Sequence, residues 1–363
     1  LFTPPIPVAG RREALGATKL LRFRSGRDVL VLGRILDRLG LMSRVLALFR
    51  NLVWRNHGGR LYFSGSRRRG STIIQFPDPP ENPQQSSRSL LNMTTLAMPT
   101  FAVLRFDGAD AQDFLNRQLT ADIANLGESD CVQAGFCMPD GRLIATPIFC
   151  WIDGQLHAVL PDDLVRKVQQ RLQLFVMRDD LQISMTSLAA SLVTDVKHPA
   201  AGSVERTPEA TMLGLQGDAP RTLSISASEP GPETHWPTTA IASGAPQVYA
   251  ATSGLFLPQS LRMDTLGGVN FRKGCYPGQE VVARLHYRGQ LKRVLVRADI
   301  KSGSCSPGDA VLLDEKAVGH VAEASAQAAL VVAHLSALGQ PVECASGALT
   351  LAAQPLGSGT GQA

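Results

Sequence analysis

The stretch Phe271-Arg272-Lys273-Gly274-Cys275-Tyr276-Pro277-Gly278-Gln279-Glu280 places a single cysteine inside a segment that is suited to a sharp turn. Gly274 and Gly278 tolerate positive φ angles, so the chain can reverse direction on either side of the thiol. Pro277 fixes its own φ and donates no backbone hydrogen bond, which favours a rigid turn. The pattern therefore predicts a stiff loop around Cys275.

The chemistry of this loop allows two interpretations. Lys273 and Arg284 would lower the pKa of the Cys275 thiol if their side chains face it, and the thiolate is the reactive form. Most free cysteines, however, are small apolar parts of a core. The residues alone leave both a reactive thiol and an inert, buried cysteine open.

The motif Lys273-Gly274-Cys275-Tyr276-x-Gly278-Gln279-Glu280 resembles the signature of the YgfZ-like, folate-binding branch of the glycine-cleavage T-protein superfamily. The flanks fit as well, at Ser253-Gly254, Pro258-Gln259, Leu266-Gly267-Gly268, Arg288-Gly289 and Lys292-Arg293. The resemblance covers residues 98–350. It implies an α+β protein, with a T-protein-like folate-binding domain (a cloverleaf of mixed α/β subdomains) over 98–290 and a small antiparallel β-barrel over 291–353.

By this resemblance, YgfZ-like proteins bind tetrahydrofolate, support iron–sulfur enzymes that include tRNA-modifying ones, and protect clusters under oxidative stress. Cys275 would then be the working residue, as a redox thiol or as a transient cluster ligand. A single cysteine cannot make a four-thiolate site, so a stable cluster would need ligands from client enzymes or small molecules. No resident metal site is expected.

The rest of the motif receives supporting roles from the same resemblance. Lys273 would supply positive potential, and Tyr276 would pack or donate to a ligand. Gly274 and Gly278 would provide the backbone shape, and Gln279 and Glu280 would fix the turn through hydrogen bonds. Arg284 belongs to the same motif as a second cation near the thiol.

Two aromatic residues are candidates for contact with folate. Trp236 lies ten residues before Pro246, which is the spacing that bacterial relatives show, and Phe101 stands where those relatives place a second tryptophan. A flat pterin or aminobenzoyl ring stacks well on an aromatic face. The alternative is that both are ordinary core aromatics.

The pair Ala145-Thr146 bears on whether the chain is an enzyme. Aminomethyltransferases of the superfamily carry an Asp-Asp pair here, and an aliphatic methyl cannot exchange a proton. This departure favours an accessory protein over the runner-up, a folate-dependent one-carbon (aminomethyl) transferase.

The charge of the chain is divided unevenly. Residues 1–92 hold 16 Lys and Arg against 5 Asp and Glu, whereas the remainder holds 20 against 26. The mildly acidic body argues against direct DNA binding. The six cysteines form no C-x-x-C pair, which predicts free thiols in a reducing cytoplasm. No apolar run is long enough to cross a membrane.

The first 97 residues form a separate problem. An amphipathic, Arg-rich segment over 24–55 and a polar, Pro-rich segment over 64–92 predict disorder or a linker. Three explanations stand open: a transit peptide, a basic arm for RNA or membrane, and a translation of upstream DNA. The absence of Met at position 1 and the late Met93 favour the third. Residues 354–363 predict a flexible tail.

Local patterns predict the elements of the body. Asp110 is the expected N-cap of a helix over 111–119, and Pro161 opens a second helix that extends to about Met177 with Phe175 facing inward. Residues 197–209 and 214–220 are expected to be loops. Short strands after residue 291 predict the barrel.

Overall fold

A computed structural model describes residues 60–63, 72–75, 100–194, 196–227 and 236–357. The chain forms two compact units, Leu1–Met93 and Thr94–Ala363. In the first unit, β1 (Arg60–Phe63) pairs antiparallel with β2 (Thr72–Gln75). Apart from these two strands, the predicted N-terminal extension, which includes the amphipathic segment 24–55, lies outside the described residues, as do residues 358–363 of the predicted tail.

The second unit contains helices and strands in a mixed order. The described helices are α1 (Ala111–Gln118), α2 (Asp162–Gln173), α3 (Trp236–Ser243) and α4 (Gln279–Arg288). Its first group of strands comprises β3 (Phe101–Asp107), β4 (Cys131–Gln133), β5 (Phe136–Cys137), β6 (Leu143–Ala145), β7 (Ile148–Ile152), β8 (Gln155–Pro161), β9 (Gln182–Met185), β10 (Ala189–Val193), β11 (Val204–Arg206), β12 (Ala210–Leu215) and β13 (Arg221–Ser226). The second group comprises β14 (Arg293–Ser304), β15 (Ala310–Leu313), β16 (Lys316–Ala324), β17 (Ala328–His334), β18 (Pro341–Cys344) and β19 (Ser346–Leu351).

A nine-stranded sheet organises the first group. Its order is β11-β12-β13-β10-β3-β8-β7-β4, and β9 also pairs with β3. The central strands β3 and β8 contribute buried apolar side chains to a core on each face of the sheet. The two short strands β5 and β6 pair around the 138–142 turn, as the sequence predicted.

The helix α2 covers the sheet with one apolar face. Leu164, Val168 and Leu172 recur at helical spacing and are buried. The expectation that Phe175 faces inward is wrong: α2 ends at Gln173, and the ring of Phe175 is 42% exposed. The helical periodicity no longer applies to a residue beyond the last turn.

The start of α1 differs from the prediction. Asp110 occupies the N-cap position but makes no capping hydrogen bond within the helix. Its carboxylate instead accepts a 2.7 Å hydrogen bond from the backbone N–H of Asp180. A tertiary partner has replaced the local one, so Asp110 joins the helix to the chain before β9.

A closed barrel follows α4, with the strand order β14-β17-β16-β15-β18-β19. The predicted α+β class and C-terminal barrel are therefore confirmed. The sequence patterns missed four strands, because β11 and β12 fall wholly or partly in segments rich in Gly, Pro and Ala and β18 and β19 are short. Their pairing partners, rather than their own composition, make them strands.

The expectation that all six cysteines are free is wrong for Cys305 and Cys344. They form a disulfide inside the barrel with their Cα atoms 6.4 Å apart, although 39 residues separate them in sequence. Closure of the barrel brings the end of β14 beside the end of β18, which no sequence spacing reveals. The argument from free thiols to the cytoplasm loses part of its support, and that location stays a prediction.

Candidate functional site

The loop around Cys275 is anchored to α1 by Lys273. The Lys273 ammonium donates to the backbone carbonyls of Asn116, Leu119 (2.6 Å) and Ala121 (2.8 Å), at the end of the helix. A cation there satisfies carbonyls that lack partners within the helix and complements the negative end of its dipole. Burial lowers the pKa of Lys273 to about 8, opposed by the charge of Asp122, so the amine is still mostly protonated at pH 7. Its hydrogen bonds thus go to α1, not to Cys275.

The other end of the loop is fixed by a close backbone approach. Gly278, the residue before α4, has a φ of +83°, and a Cβ placed there would lie 2.5 Å from the carbonyl oxygen of Met138. The facing turn also uses a glycine with positive φ, Gly141 at +80°. Two glycines are required because the loop and the 138–142 turn pack backbone against backbone. Gly274 has open space around it.

Cys275 is the exposed member of the four free cysteines in the described part of the chain. Burial raises the pKa of Cys131 and of Cys137 to about 12, with smaller contributions from Asp130 and Asp140, respectively. Burial also raises the pKa of the Cys150 thiol. These three are therefore poor thiolates, whereas Cys275 meets solvent on an anchored loop.

The remaining motif residues divide into one buried and several exposed side chains. Tyr276 is 6% exposed, its ring lies 5.4 Å from the Lys273 ammonium, and its buried hydroxyl has no hydrogen-bond partner. Burial raises the pKa of Tyr276, with a contribution from Cys137. Among the described contacts, the side chains of Gln279, Glu280 and Arg284 make no hydrogen bond, so the expectation that Gln279 and Glu280 fix the turn through their side chains finds no support.

A cavity of about 770 Å³ adjoins the loop, and we call it the loop cavity. Its lining includes Asn270, Phe271 and Arg272 from the start of the motif and His286 and Tyr287 from α4. The rings of Phe271 and His286 stack with their centroids 3.7 Å apart. Cavities of this size hold ligands as large as a drug or cofactor. The other lining residues are Asp122, Asn125, Leu126, Asp130, Cys131, Val132, Ala201, Gly202, Gln216, Gly267 and Val269.

Trp236 belongs to a buried polar network that the sequence did not predict. Its indole N–H donates to the Tyr249 hydroxyl at 3.0 Å, and that hydroxyl donates to Glu323 Oε2 at 2.7 Å. Burial raises the pKa of Glu323 to about 7, against the lowering effects of its Tyr249 hydrogen bond and of Arg221. In the sequence, the sign of this network was a glutamate, Glu323, inside the apolar run at the end of β16. Through Tyr249, its carboxylate connects the barrel to α3.

Arg221 completes this network from β13. Its guanidinium lies 5.3 Å from the Trp236 ring centroid, and its Nη2 donates to the Gln216 carbonyl at 3.1 Å. Burial lowers the pKa of Arg221 to about 10, against the charges of Glu323 and Tyr249. Its Nε and Nη1 atoms have no hydrogen-bond partner, and Arg221 is one of the residues that line a cavity of about 10 Å³, which is the space of one water.

The Ala145-Thr146 pair lies in the same buried region as this network. The Thr146 hydroxyl donates to Gln247 Oε1 at 2.6 Å and accepts from the backbone N–H of Val248 at 3.0 Å. Both residues of the pair are fully buried. The pair is thus part of a sealed set of structural contacts.

Neither predicted folate residue lines the loop cavity or the water-sized cavity beside Arg221. Trp236 is fully buried, Phe101 is 8% exposed, and their ring centroids lie 4.5 Å apart. Contact with folate at these rings would require the core to open, so that assignment stays a prediction.

The described residues contain neither a cluster of metal ligands nor a membrane-spanning helix. Within them, no three His, Cys, Asp or Glu side chains come together as metal ligands. None of the helices that the structure describes is long and apolar enough to cross a bilayer.

Comparisons with known proteins agree with the fold described above. No family model matches the chain. The chain is 28% identical over 251 residues to the tRNA-modifying protein YgfZ of Shigella dysenteriae serotype 1, which covers 60% of this chain and 75% of that relative. The same figures hold for the proteins of that name from Escherichia coli O139:H28 and from Escherichia coli K12 strain DH10B.

The structural comparison concerns the fold. The glycine cleavage system aminomethyltransferase T from Bartonella henselae superposes with a TM-score of 0.50 at 12% identity, over 70% of this chain and 83% of that one. The resemblance inferred from the cysteine motif is confirmed: the chain is similar in sequence to the YgfZ proteins, and its fold is that of a glycine-cleavage T-protein.

Proposed function

We propose that this chain is a tetrahydrofolate-binding accessory protein that acts in tRNA modification by supporting iron–sulfur enzymes through Cys275. The observation that carries the proposal is an exposed thiol on a doubly anchored loop whose first residues line a folate-sized cavity. The names of the sequence relatives and the fold of the structural neighbour support the coarser role, which is folate-related and concerns tRNA modification.

Folate is proposed to occupy the loop cavity. A pterin needs a flat partner and acceptors for its N–H donors, which Tyr287 and the Asp122 carboxylate would provide. The glutamate tail needs a cation, and Arg272 is exposed at the cavity wall. Folate would stack beside the loop and thus sense or stabilise its conformation.

Cys275 is proposed to serve as a transient ligand of an iron–sulfur cluster or as a redox thiol, with client enzymes supplying any further ligands. Its exposure and the loop's rigidity suit a handover between proteins, because the sulfur is presented without a change of fold. The cytoplasm is the proposed location. Residues 98–353 are the proposed functional part, and residues 1–97 are proposed to be dispensable.

The alternative, a one-carbon transferase, is disfavoured by the sealed Thr146. A transferase needs a group that exchanges a proton beside the folate, and Ala145 and Thr146 cannot do so from a packed interior. Turnover of tetrahydrofolate with a one-carbon donor, lost in Cys275→Ser, would reverse this conclusion.

The thiol's role is tested by complementation of an Escherichia coli strain that lacks its YgfZ protein, scored by the level of thiolated tRNA. We expect the full chain to restore thiolation, Cys275→Ala to fail and Cys137→Ala to succeed, since Cys137 is a buried thiol of the same protein. Full restoration by Cys275→Ala at equal protein level would contradict the proposal.

The folate site is tested separately by calorimetric titration of the purified protein with tetrahydrofolate. Removal of one charge-assisted hydrogen bond predicts about tenfold weaker binding for Arg272→Gln. Arg166→Gln is the matched control, because Arg166 is an exposed arginine of α2 outside the loop cavity. Equal affinity of both variants would place folate elsewhere.

A further inference from the structure

A second cavity, of about 400 Å³, lies where the chain passes from α4 into the barrel, and we call it the barrel cavity. Its walls are the end of α4, the segment 290–293, residues 255–257 and strands β16 and β17. It shares no lining residue with the loop cavity. Neither the cysteine motif nor the proposed folate site explains it.

The charges around the barrel cavity are of one sign. Its titratable lining residues are Arg142, Lys292, Arg293, His320 and His334, and no Asp or Glu lines it. Arg142 is partly neutralised from outside by Asp140 at 3.7 Å. Within the described residues, Lys292 and Arg293 form no ion pair. Crowded cations without an internal carboxylate create a positive potential that an external anion would relieve.

The surrounding sequence makes this concentration unusual for the chain. Residues 284–293 contain four Arg or Lys and no acid, whereas residues 93–363 as a whole have more acids than bases. Burial, Arg293 and Arg142 together lower the pKa of His320, which reports the same crowding. The positive charge is therefore local to this cavity and to the end of α4.

Most of the remaining wall is apolar, with Ser260 and Gln290 as its polar residues. Phe256, Leu257, Leu285, Leu291 and Val332 contribute to it, and Phe256 is 3% exposed. A small inorganic anion would leave this apolar wall exposed to water, whereas a ligand with an apolar or planar body would cover it. Arg and Lys together favour a phosphate, which accepts several charge-assisted hydrogen bonds and carries nearly two negative charges.

We propose that the barrel cavity binds a phosphorylated small molecule with a planar or apolar body, of which a nucleoside monophosphate is the simplest example. The phosphate is held by Lys292, Arg293 and Arg142, and the body lies against Phe256 and the neighbouring leucines. This site is independent of the folate and thiol chemistry proposed above, so either can fail without the other.

The test is calorimetric titration of the full chain with AMP, with adenosine and with inorganic phosphate. We expect saturable binding of AMP at least about tenfold tighter than that of either fragment, because each fragment satisfies only half of the cavity. Adenosine tests the body alone, and phosphate tests the anion alone. No saturable AMP binding, or phosphate binding as tight as AMP binding, overturns the proposal.

The double variant Lys292→Gln/Arg293→Gln locates the site. Both side chains are exposed, so their replacement leaves the core intact. We expect at least about tenfold weaker AMP binding, and unchanged AMP binding in the control Lys301→Gln/Lys316→Gln, which removes the same charge elsewhere in the barrel. Equal loss in both variants, or loss of tetrahydrofolate binding in place of AMP binding, overturns the assignment.

Discussion

The loop that carries Cys275 and the buried network around Trp236 contain the two groups of residues that the sequence singled out, yet they are built in opposite ways. The loop exposes its thiol and is fixed by the buried ammonium of Lys273 and by a glycine contact. The network hides its aromatic ring and joins Tyr249, Glu323 and Arg221 in the interior.

The difference shows how one family resemblance can mark residues with different tasks. In the loop, one side chain is available for chemistry while its neighbours hold the backbone. In the network, the polar groups bind one another, and the exception is Arg221, whose Nε and Nη1 atoms have no hydrogen-bond partner. Exposure therefore separates the candidate reactive group from the candidate structural ones.

Removal of the Lys273 anchor is the strongest challenge to this comparison. Lys273→Met leaves three carbonyls at the end of α1 without their cation, and we expect the free energy of unfolding to fall by about 2–4 kcal/mol. Urea denaturation measures the change, with Arg272→Met as the exposed neighbouring control. If the two variants are equally stable, Lys273 is free to act at Cys275 and the loop is held in another way.

The glycine contact is the second way to test the loop. Gly278→Ala forces a side chain into a positive φ and against the Met138 carbonyl, which we expect to cost about 1–3 kcal/mol. Gly274→Ala is the matched control, because nothing lies within 4 Å of a Cβ there. Thermal or urea unfolding of the two variants measures the difference in their stability. Similar losses would mean that the loop is not pinned at Gly278.

The network makes a smaller, pH-dependent contribution. The folded-state pKa of Glu323, about 7, lies above its ordinary value of 4.5, so the native state binds the extra proton between these values. Stability from this group is complete below pH 4.5 and is lost as the pH rises through 7. We expect Glu323→Gln to remove about 1–2 kcal/mol of the stability difference between about pH 5 and about pH 7.5.

Urea titrations of the wild type and Glu323→Gln at both pH values measure this difference. Glu343→Gln, a change at an exposed acid of the barrel, serves as the control. A wild type and a Glu323 variant with parallel pH dependence would show that Glu323 is ionised or accessible in the native state, contrary to a sealed network.

Structural features that depend on neighbouring residues were predicted well. The 138–142 turn, the helix α1 and the strands β8, β13 and β17 follow from turn residues and apolar periodicity. Features that depend on residues far apart in the sequence were not predicted. Asp110 pairs with the backbone of Asp180, and Cys305 meets Cys344 across the closed barrel. Phe175 became exposed because α2 ends two residues before it.

The sequence by itself determined the family resemblance, the α+β class and the position of the candidate cysteine, because a motif and a repeating apolar pattern are properties of neighbouring residues. The tertiary structure decided which side chains meet solvent, since burial depends on elements far apart in the chain. It turned Lys273 toward α1, closed the core over Trp236 and gathered the cations of the barrel cavity. Long-range packing, which no local pattern encodes, is the physical reason.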